Sequence, residues 1–325
     1  MKKALITGIA GQDGSYLAEL LLEKGYEVYG ILHGAILAPP QDGLWRIRHI
    51  LGRLKLHAGS MDDPKELMRL VEEVRPNECY HLAARSFVSY VFDSEYDVLN
   101  TNINSTLHML STLRHAAPEC RFYFAGSSEM FGLAEISPLD EKTPFMPRSP
   151  YGISKVAGFH LTRNYREVNH LYACSGILFN HESPRRGEEF VTRKVTLAAA
   201  RIKAGQQKKL VLGNLAAYRD WGFAGDYVKA MWLMLQQDKA DDFVIATHKT
   251  HSVKELVSLA FSCVGLKWED HVEVDPAFYR PGGGQTLVGN YSKAARALGW
   301  SPEVSFEQLV EMMVKADVDL VARSK

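Results

Sequence analysis

Excess charge of either sign is missing from this sequence, and so are clustered cysteines and long apolar runs. The four cysteines, Cys79, Cys120, Cys174 and Cys263, lie far apart and form neither a CxxC pair nor a Cys/His cluster with ligand spacing. That argues for a reducing compartment and against a disulfide framework or a metal site. His33, His49, His81, His108 and His181 likewise show no ligand spacing. With 38 basic and 38 acidic side chains the formal net charge is zero, which removes the electrostatic footprint of a nucleic-acid or anionic-membrane binder. Any phosphate must then be held locally. No run approaches the roughly 18 apolar residues of a membrane span, and Met1-Lys2-Lys3 leads straight into "ALITGIAG" with no h-region and cleavage site. These absences lead us to expect a soluble cytoplasmic protein.

What is present is an alternation of short apolar runs with helical periodicity, the βα rhythm of a parallel sheet. Strands are expected at Lys3–Thr7, Glu27–Leu32, Leu54–Ala58, Glu78–Leu82, Arg121–Ala125 and Ala173–Leu178. Helices are expected at Tyr16–Lys24, Pro64–Glu73, Thr101–Ala116 and Tyr151–Glu167, the second started by an Asp63 cap followed by proline. After about Asn180 the rhythm loosens into "FNHESPRRGEEF" and "FYRPGGGQ", while strand-like "DFVIAT" returns at Asp242–Thr247. At 325 residues the chain suits a large domain plus a small one. The expected architecture is a Rossmann-like, doubly wound α/β sheet over 1–180, also receiving about 220–250, interleaved with a smaller mixed α/β substrate-binding region over 181–325.

Three patterns carry chemistry. "TGIAGQDGSYLAELL" places Gly8, Gly11 and Gly14 between a strand and a helix, where bare backbone approaches a pyrophosphate seated on the helix N-terminus. The second strand ends in "GILHGAILAPP", with neither an acid for a ribose 2′-hydroxyl nor an arginine pair for a 2′-phosphate, so NAD and NADP both stay open; Arg46, Arg48 or Arg53 are the nearby sources of positive charge. "SPYGISK" sets Tyr151 and Lys155 four apart on one helical face, and a cation one turn away is expected to favour the phenolate. In "AGSSEMFG" a carboxylate, Glu129, follows Ser127 and Ser128. Oxidation alone does not need that acid. Removal of a proton next to a transient ketone does, followed by loss of a hydroxyl as water, with Ser127 or Ser128 relaying a proton.

The glycine loop, Tyr151, Lys155 and "HLAA" at His81–Ala84 resemble the extended short-chain dehydrogenase/reductase superfamily. "ILFNHESPRRGEEFVTRKVT" at Ile177–Thr196, "RDWGFAGDYVKAMWLMLQQ" at Arg219–Gln237 and "DDFVIATHKTHSV" at Asp241–Val253 are similar to the GDP-mannose 4,6-dehydratase family, over nearly the whole chain. The resemblance implies a sugar-nucleotide 4,6-dehydratase with tightly held NADP or NAD, NADP being the family's preference. It implies catalytic Ser127, Ser128, Glu129, Tyr151 and Lys155. Cofactor contacts would come from Gly8, Gly11, Gln12, Asp13, Gly14, His33, Asp62, Leu82, Ala83, Ala84, Tyr151 and Lys155. Substrate contacts would come from Ser86, Asn180, Glu182, Arg186, Val191, Lys194, Gly213, Arg219 and Arg280. The sequence departs from the family pattern at Leu32-His33-Gly34, at Gly59-Ser60-Met61 and in "YRPGGG". An NDP-sugar epimerase or 4-ketosugar reductase is the alternative reading, because Tyr151 and Lys155 suffice for either. A homodimer through the helices at 101–116 and 151–167, or a tetramer, is the implied assembly.

Overall fold

The computed structural model describes residues 1–34, 42–86, 92–278 and 286–323. In chain order its elements begin β1 (Lys3–Thr7), α1 (Gln12–Glu23), β2 (Glu27–Leu32), β3 (Leu54–Ala58), α2 (Pro64–Val74), β4 (Glu78–His81), α3 (Phe92–Ala116), β5 (Arg121–Ala125), α4 (Pro150–Glu167) and β6 (Ala173–Leu178). They continue β7 (Asn180–Glu182), α5 (Val191–Lys203), β8 (Leu210–Leu212), β9 (Tyr218–Arg219), β10 (Trp221–Phe223), α6 (Ala224–Met234), β11 (Phe243–Ile245), β12 (His251–Ser252), α7 (Val253–Cys263), β13 (Val272–Val274), α8 (Ser292–Leu298) and α9 (Phe306–Arg323).

Seven strands form one sheet in the order β11-β6-β5-β4-β1-β2-β3, with every pairing parallel. Except at the half-buried edge strand β3, both faces are buried, so the strands read as nearly continuous apolar runs whose alternate residues serve opposite cores. Tyr123 packs with Leu17 and Leu21 of α1 and Met231 of α6, while its neighbours Phe122 and Phe124 pack with Val71 of α2, Leu110 of α3 and Phe159 of α4. The strand order reverses direction between β1 and β4, and the C-terminal ends of these strands open the crevice in which such sheets bind ligands.

A third core joins Val195 and Ala199 of α5, Leu256 and Phe261 of α7, and Phe306 and Val310 of α9 around Trp221. The chain leaves the sheet after β6, and β11 returns to pair with β6 at the sheet edge. Among the described residues no helix is long and apolar enough to cross a membrane.

Helix starts follow their caps. Asp63 accepts from the backbone N–H of Lys65 and Glu66 at 2.9 and 3.2 Å, with Pro64 in the first turn of α2, a cap worth about 1 kcal/mol. α4 begins at Pro150, one residue before the expected Tyr151, and two helices begin several residues early. α1 starts at Gln12, because Gly14 is helical despite its poor propensity: a Cβ there would sit 2.3 Å from the Gly8 carbonyl oxygen, so only glycine permits the close turn. α3 starts at Phe92, ahead of the Asn-, Asp- and Ser-rich stretch that weakens its local signal, and is held by packing against α4 and α2. β4 ends at His81, one residue before the expected Leu82.

Candidate active site

A single cavity of about 1340 Å³ runs along the C-terminal ends of β1, β4 and β5 and across to α5 and β9. At one end lies the glycine loop. Gly8 has φ +76°, and a Cβ there would meet the Ala83 nitrogen at 2.9 Å. Thr7 fastens the two loops together: its Oγ1 accepts from the N–H of Leu82 and Ala83, both at 3.1 Å. With its lone pairs taken, Thr7 gives its own proton to His81 Nδ1 at 2.9 Å. Burial, with the Lys155 charge nearby, holds His81 down to about 3, so it is neutral and its Nε2–H faces the hydroxyls of Thr106 and Ser105. His81 is therefore a brace between β4 and α3.

The N-terminus of α1 has no side-chain cap, so its first backbone N–H groups are left for a ligand. Gln12 and Asp13 line the cavity, but their side chains turn to the opposite wall. Gln12 bonds Ser183 and the His181 carbonyl, and Asp13 bonds His181. Their side chains are thus spent within the protein, which leaves their backbone to face the cavity. His33, Asp62, Leu82, Ala83 and Ala84 line the same end, as does Arg46. Of the three arginines considered from sequence, Arg46 donates to Arg185 O at 2.7 Å and reaches Ala10 O at 3.4 Å, whereas Arg53 donates to the Leu22 carbonyl away from the cavity.

The proton-transfer groups come from β5 and α4. Ser127 follows the end of β5 and caps the short turn Ser128–Met130, its Oγ accepting from Glu129 N–H at 3.2 Å. A Cβ on Gly152 would lie 2.6 Å from the Glu129 carbonyl oxygen, so the start of α4 abuts the turn that carries the carboxylate. Ser149 caps α4 through Gly152 N–H at 3.0 Å, and Pro150 opens it. One turn in, the Lys155 ammonium is 5.6 Å from the Tyr151 ring centroid and donates to Ala125 O at 2.9 Å. Ser127, Ser128, Glu129, Tyr151 and Lys155 all line the cavity. The Glu129 carboxylate is half-buried and makes no hydrogen bond or ion pair with another described residue.

The electrostatics correct one expectation. Burial pushes the Tyr151 phenol up to about 12; the Ser127 hydroxyl and the Arg186 guanidinium oppose this, and Glu129 and Asp13 reinforce it. Lys155 does not bring the phenol down, because the same enclosure penalises its own charge and draws it down to about 8, with Asp13 pulling the other way.

The far wall is built by β7, the loop after it and α5. Adjacent arginines there divide their work. Arg185 turns to α1, bonding Ser15 Oγ at 3.1 Å and Glu19 Oε1 at 2.6 Å over the Tyr16 ring. Arg186 turns to the cavity, 3.5 Å over the Phe190 ring, with Nε 3.1 Å from Glu182 Oε2. That geometry makes an ion pair but no hydrogen bond, so Nε is buried without a hydrogen-bond partner. Lys194 donates to Val211 O at 2.9 Å. Ser86, Asn180, Glu182, Val191, Gly213 and Arg219 line the same cavity. Arg280 lies outside the described residues. Trp221 is 2% exposed and stacks on Phe306, so packing takes most of its surface.

Sequence reading missed three residues. Arg193, fully enclosed, pairs with Asp317 of α9 at 2.7 Å and donates to the carbonyls of Pro184 and Arg186, fixing the loop that aims Arg186. Asn102 of α3 ties the Arg85 backbone to Ser154 of α4. His181 pairs with Asp13. Each depends on partners far away in sequence, for which no local pattern exists. Among the described residues no group of three or more His, Cys, Asp or Glu is arranged to hold a metal.

A doubly wound parallel sheet, a glycine loop opening α1, and a Ser-Tyr-Lys set at the ends of β5 and α4 define an extended short-chain dehydrogenase/reductase. Comparison with solved structures agrees on the fold: the dTDP-glucose 4,6-dehydratase of Streptomyces venezuelae superposes with a TM-score of 0.85 at 23% identity, covering 99% of this chain and 98% of that one. The GDP-mannose 4,6 dehydratase family profile matches residues 5–313. GDP-mannose 4,6 dehydratase 1 of Arabidopsis thaliana is 51% identical, with 100% of this chain and 92% of the relative covered. The human GDP-mannose 4,6 dehydratase is 44% identical over 98% of this chain and 92% of its own length. The chain belongs to the GDP-mannose 4,6-dehydratase family.

Proposed function

We propose that the protein converts GDP-mannose to its 4-keto-6-deoxy derivative, a redox-neutral hydro-lyase reaction. The observation that carries this reading is the carboxylate of Glu129 lining one cavity with Tyr151 and Lys155. A reductase or epimerase has work for the last two only.

The loop fits a nicotinamide dinucleotide: Gly8, Gly11 and Gly14 keep the backbone bare, and the first N–H groups of α1 have no side-chain cap. When bound, that cofactor supplies a hydride acceptor at C4 of the hexose and a donor at C6. Tyr151 takes the C4 hydroxyl proton in its ionised form, which burial disfavours, so the step draws on a minor phenolate fraction that grows with pH. The Ser127 hydroxyl orients the C4 hydroxyl. Lys155, held by Ala125 O, keeps a cation behind the phenol. With a ketone at C4, the C5 proton becomes acidic and passes to Glu129. The C6 hydroxyl leaves, taking a proton relayed by Ser127 or Ser128, and departs as water. A proton returned to C5 completes the balance.

Arg186, Lys194, Arg219 and Arg280 neutralise the nucleotide diphosphate in a chain with no net charge, and Ser86, Asn180, Glu182, Val191 and Gly213 shape the sugar and nucleoside pocket. Arg46, which lines the same cavity as His33, offers a guanidinium to a 2′-phosphate, which makes NADP the favoured cofactor. The catalytic unit is a homodimer joined through α3 and α4, whose Tyr96, Leu107 and Ile153 are exposed. Residues 1–180 with about 220–250 form the dinucleotide-binding part and 181–325 the substrate part, in the cytoplasm.

The experiment is incubation with GDP-mannose and catalytic NADP or NAD. A 4-keto-6-deoxy product without net change in NAD(P)H absorbance supports the reading. Stoichiometric NAD(P)H consumption would indicate a reductase, and failure with GDP-, UDP-, dTDP- and CDP-hexoses would overturn it.

A further inference from the structure

His181, the central residue of β7, places both ring nitrogens against acceptors. Nδ1 lies 2.7 Å from the Phe179 carbonyl oxygen and Nε2 2.8 Å from Asp13 Oδ2. A carbonyl and an ionised carboxylate have no proton to give, so both nitrogens donate and the ring is an imidazolium. The rival arrangement, a protonated Asp13 donating to a neutral ring, is opposed by the surroundings of Asp13. It sits in the first turn of α1, where the helix dipole favours an anion, and its other oxygen accepts from Gln12 Nε2 at 3.1 Å. The imidazolium stacks on Tyr227 of α6 at 4.6 Å.

We propose that Asp13 and His181 form a charged pair that positions β7 against the dinucleotide loop and partly offsets the negative charge that Asp13 imposes on Tyr151 and Lys155. Neither is a catalytic residue; both act through the groups they hold. The charged and titratable groups facing the pair are Arg186 from the following loop, Tyr227 from α6, Tyr123 from β5, and Tyr151 and Lys155 from α4. The directions agree with the geometry. Burial lowers His181, but Asp13 and the Phe179 carbonyl outweigh it and the net shift is upward; burial raises Asp13, but His181 and Gln12 outweigh it and the net shift is downward. The pair bridges 168 residues of chain, so one contact joins the cofactor side of the cavity to the substrate side.

The test has two arms. The first needs no turnover and stands apart from any role of Tyr151: ¹⁵N NMR of the full chain labelled at histidine. One histidine, identified by its loss in His181→Gln, shows both ring nitrogens protonated at pH 8, and in Asp13→Asn, where the carboxylate no longer outweighs burial, it is neutral at that pH. Should His181→Gln not fold, the resonance that changes class between the parent and Asp13→Asn makes the assignment. A neutral ring at pH 8 in the parent overturns the proposal. The second arm, which rests on Tyr151 as the proton acceptor, is the pH profile of kcat. His181→Gln leaves Asp13 uncompensated and moves the acidic limb up by about one pH unit, whereas Asp13→Asn, removing both charges, moves it by a few tenths. A limb unmoved in His181→Gln overturns the electrostatic role.

Discussion

The ammonium of Lys155 donates to the carbonyl oxygen of Ala125 at 2.9 Å, fastening the first turns of α4 to the end of β5 and setting the distance between Tyr151 and the turn that carries Glu129. The cost of that arrangement is a buried cation, 4% exposed and drawn down to about 8 by desolvation.

A pH dependence of stability follows. In the unfolded chain Lys155 titrates near 10.5. Between pH 8 and 10.5 the unfolded state therefore binds more protons than the native one, so this group's contribution to stability rises with pH across that window and is least favourable below it. Comparing chemical denaturation of the parent and Lys155→Met, the parent is expected to gain about 2 kcal/mol on the variant between pH 7.5 and pH 10. A difference independent of pH would contradict the buried-cation account.

Glu129→Gln separates the two proton transfers. It keeps the size of the side chain and removes the base, so dinucleotide binding measured by fluorescence should match the parent within about twofold, while kcat falls by about 10² to 10⁴. A transient rise in reduced cofactor on mixing with GDP-mannose is expected to persist, because oxidation at C4 does not use this carboxylate. Retention of full dehydration would remove Glu129 from the mechanism.

The proposed preference for NADP rests on Arg46. Its guanidinium bonds Arg185 O and reaches Ala10 O at the cavity end lined by His33. Arg46→Ala is expected to weaken NADP binding by about tenfold or more, the worth of a charge-assisted contact, with NAD changed by less than threefold. Isothermal titration with each dinucleotide reads the ratio; equal losses would assign Arg46 a purely structural part.

Arg193 and Asp317 are buried partners, 5% and 0% exposed. Asp317→Asn leaves the guanidinium uncompensated and should cost about 3–5 kcal/mol, whereas replacing both by apolar residues costs less. Because Arg193 also holds the carbonyl of Arg186, the double variant is expected to raise KM for GDP-mannose more than it lowers kcat.

Much of this was readable in the sequence, for identifiable reasons. β1, β2, β5 and β6 coincide with the apolar runs, because strands buried on both faces are continuous in sequence, and the half-buried edge strand β3 coincides with the alternating LKLHA. Gly8, Ser127, Glu129, Tyr151 and Lys155 stood out because a turn, a cap and one helical face are local devices. The start of α3 was hidden behind polar residues that packing overrides, and the early start of α1 behind a glycine retained for close approach. Arg193 with Asp317, 124 residues apart, and Asp13 with His181 come together only through the topology. The expected effect of Lys155 on Tyr151 failed because spacing says nothing about desolvation.

The most direct measurement is the fate of a C4 label. GDP-mannose carrying deuterium at C4, turned over in ordinary water, should give a 4-keto-6-deoxy product with that deuterium at C6, and the same reaction of unlabelled substrate in D₂O should place solvent deuterium at C5. Deuterium washed into solvent or still at C4, or a C5 position that does not exchange, would contradict transient oxidation coupled to elimination by Glu129.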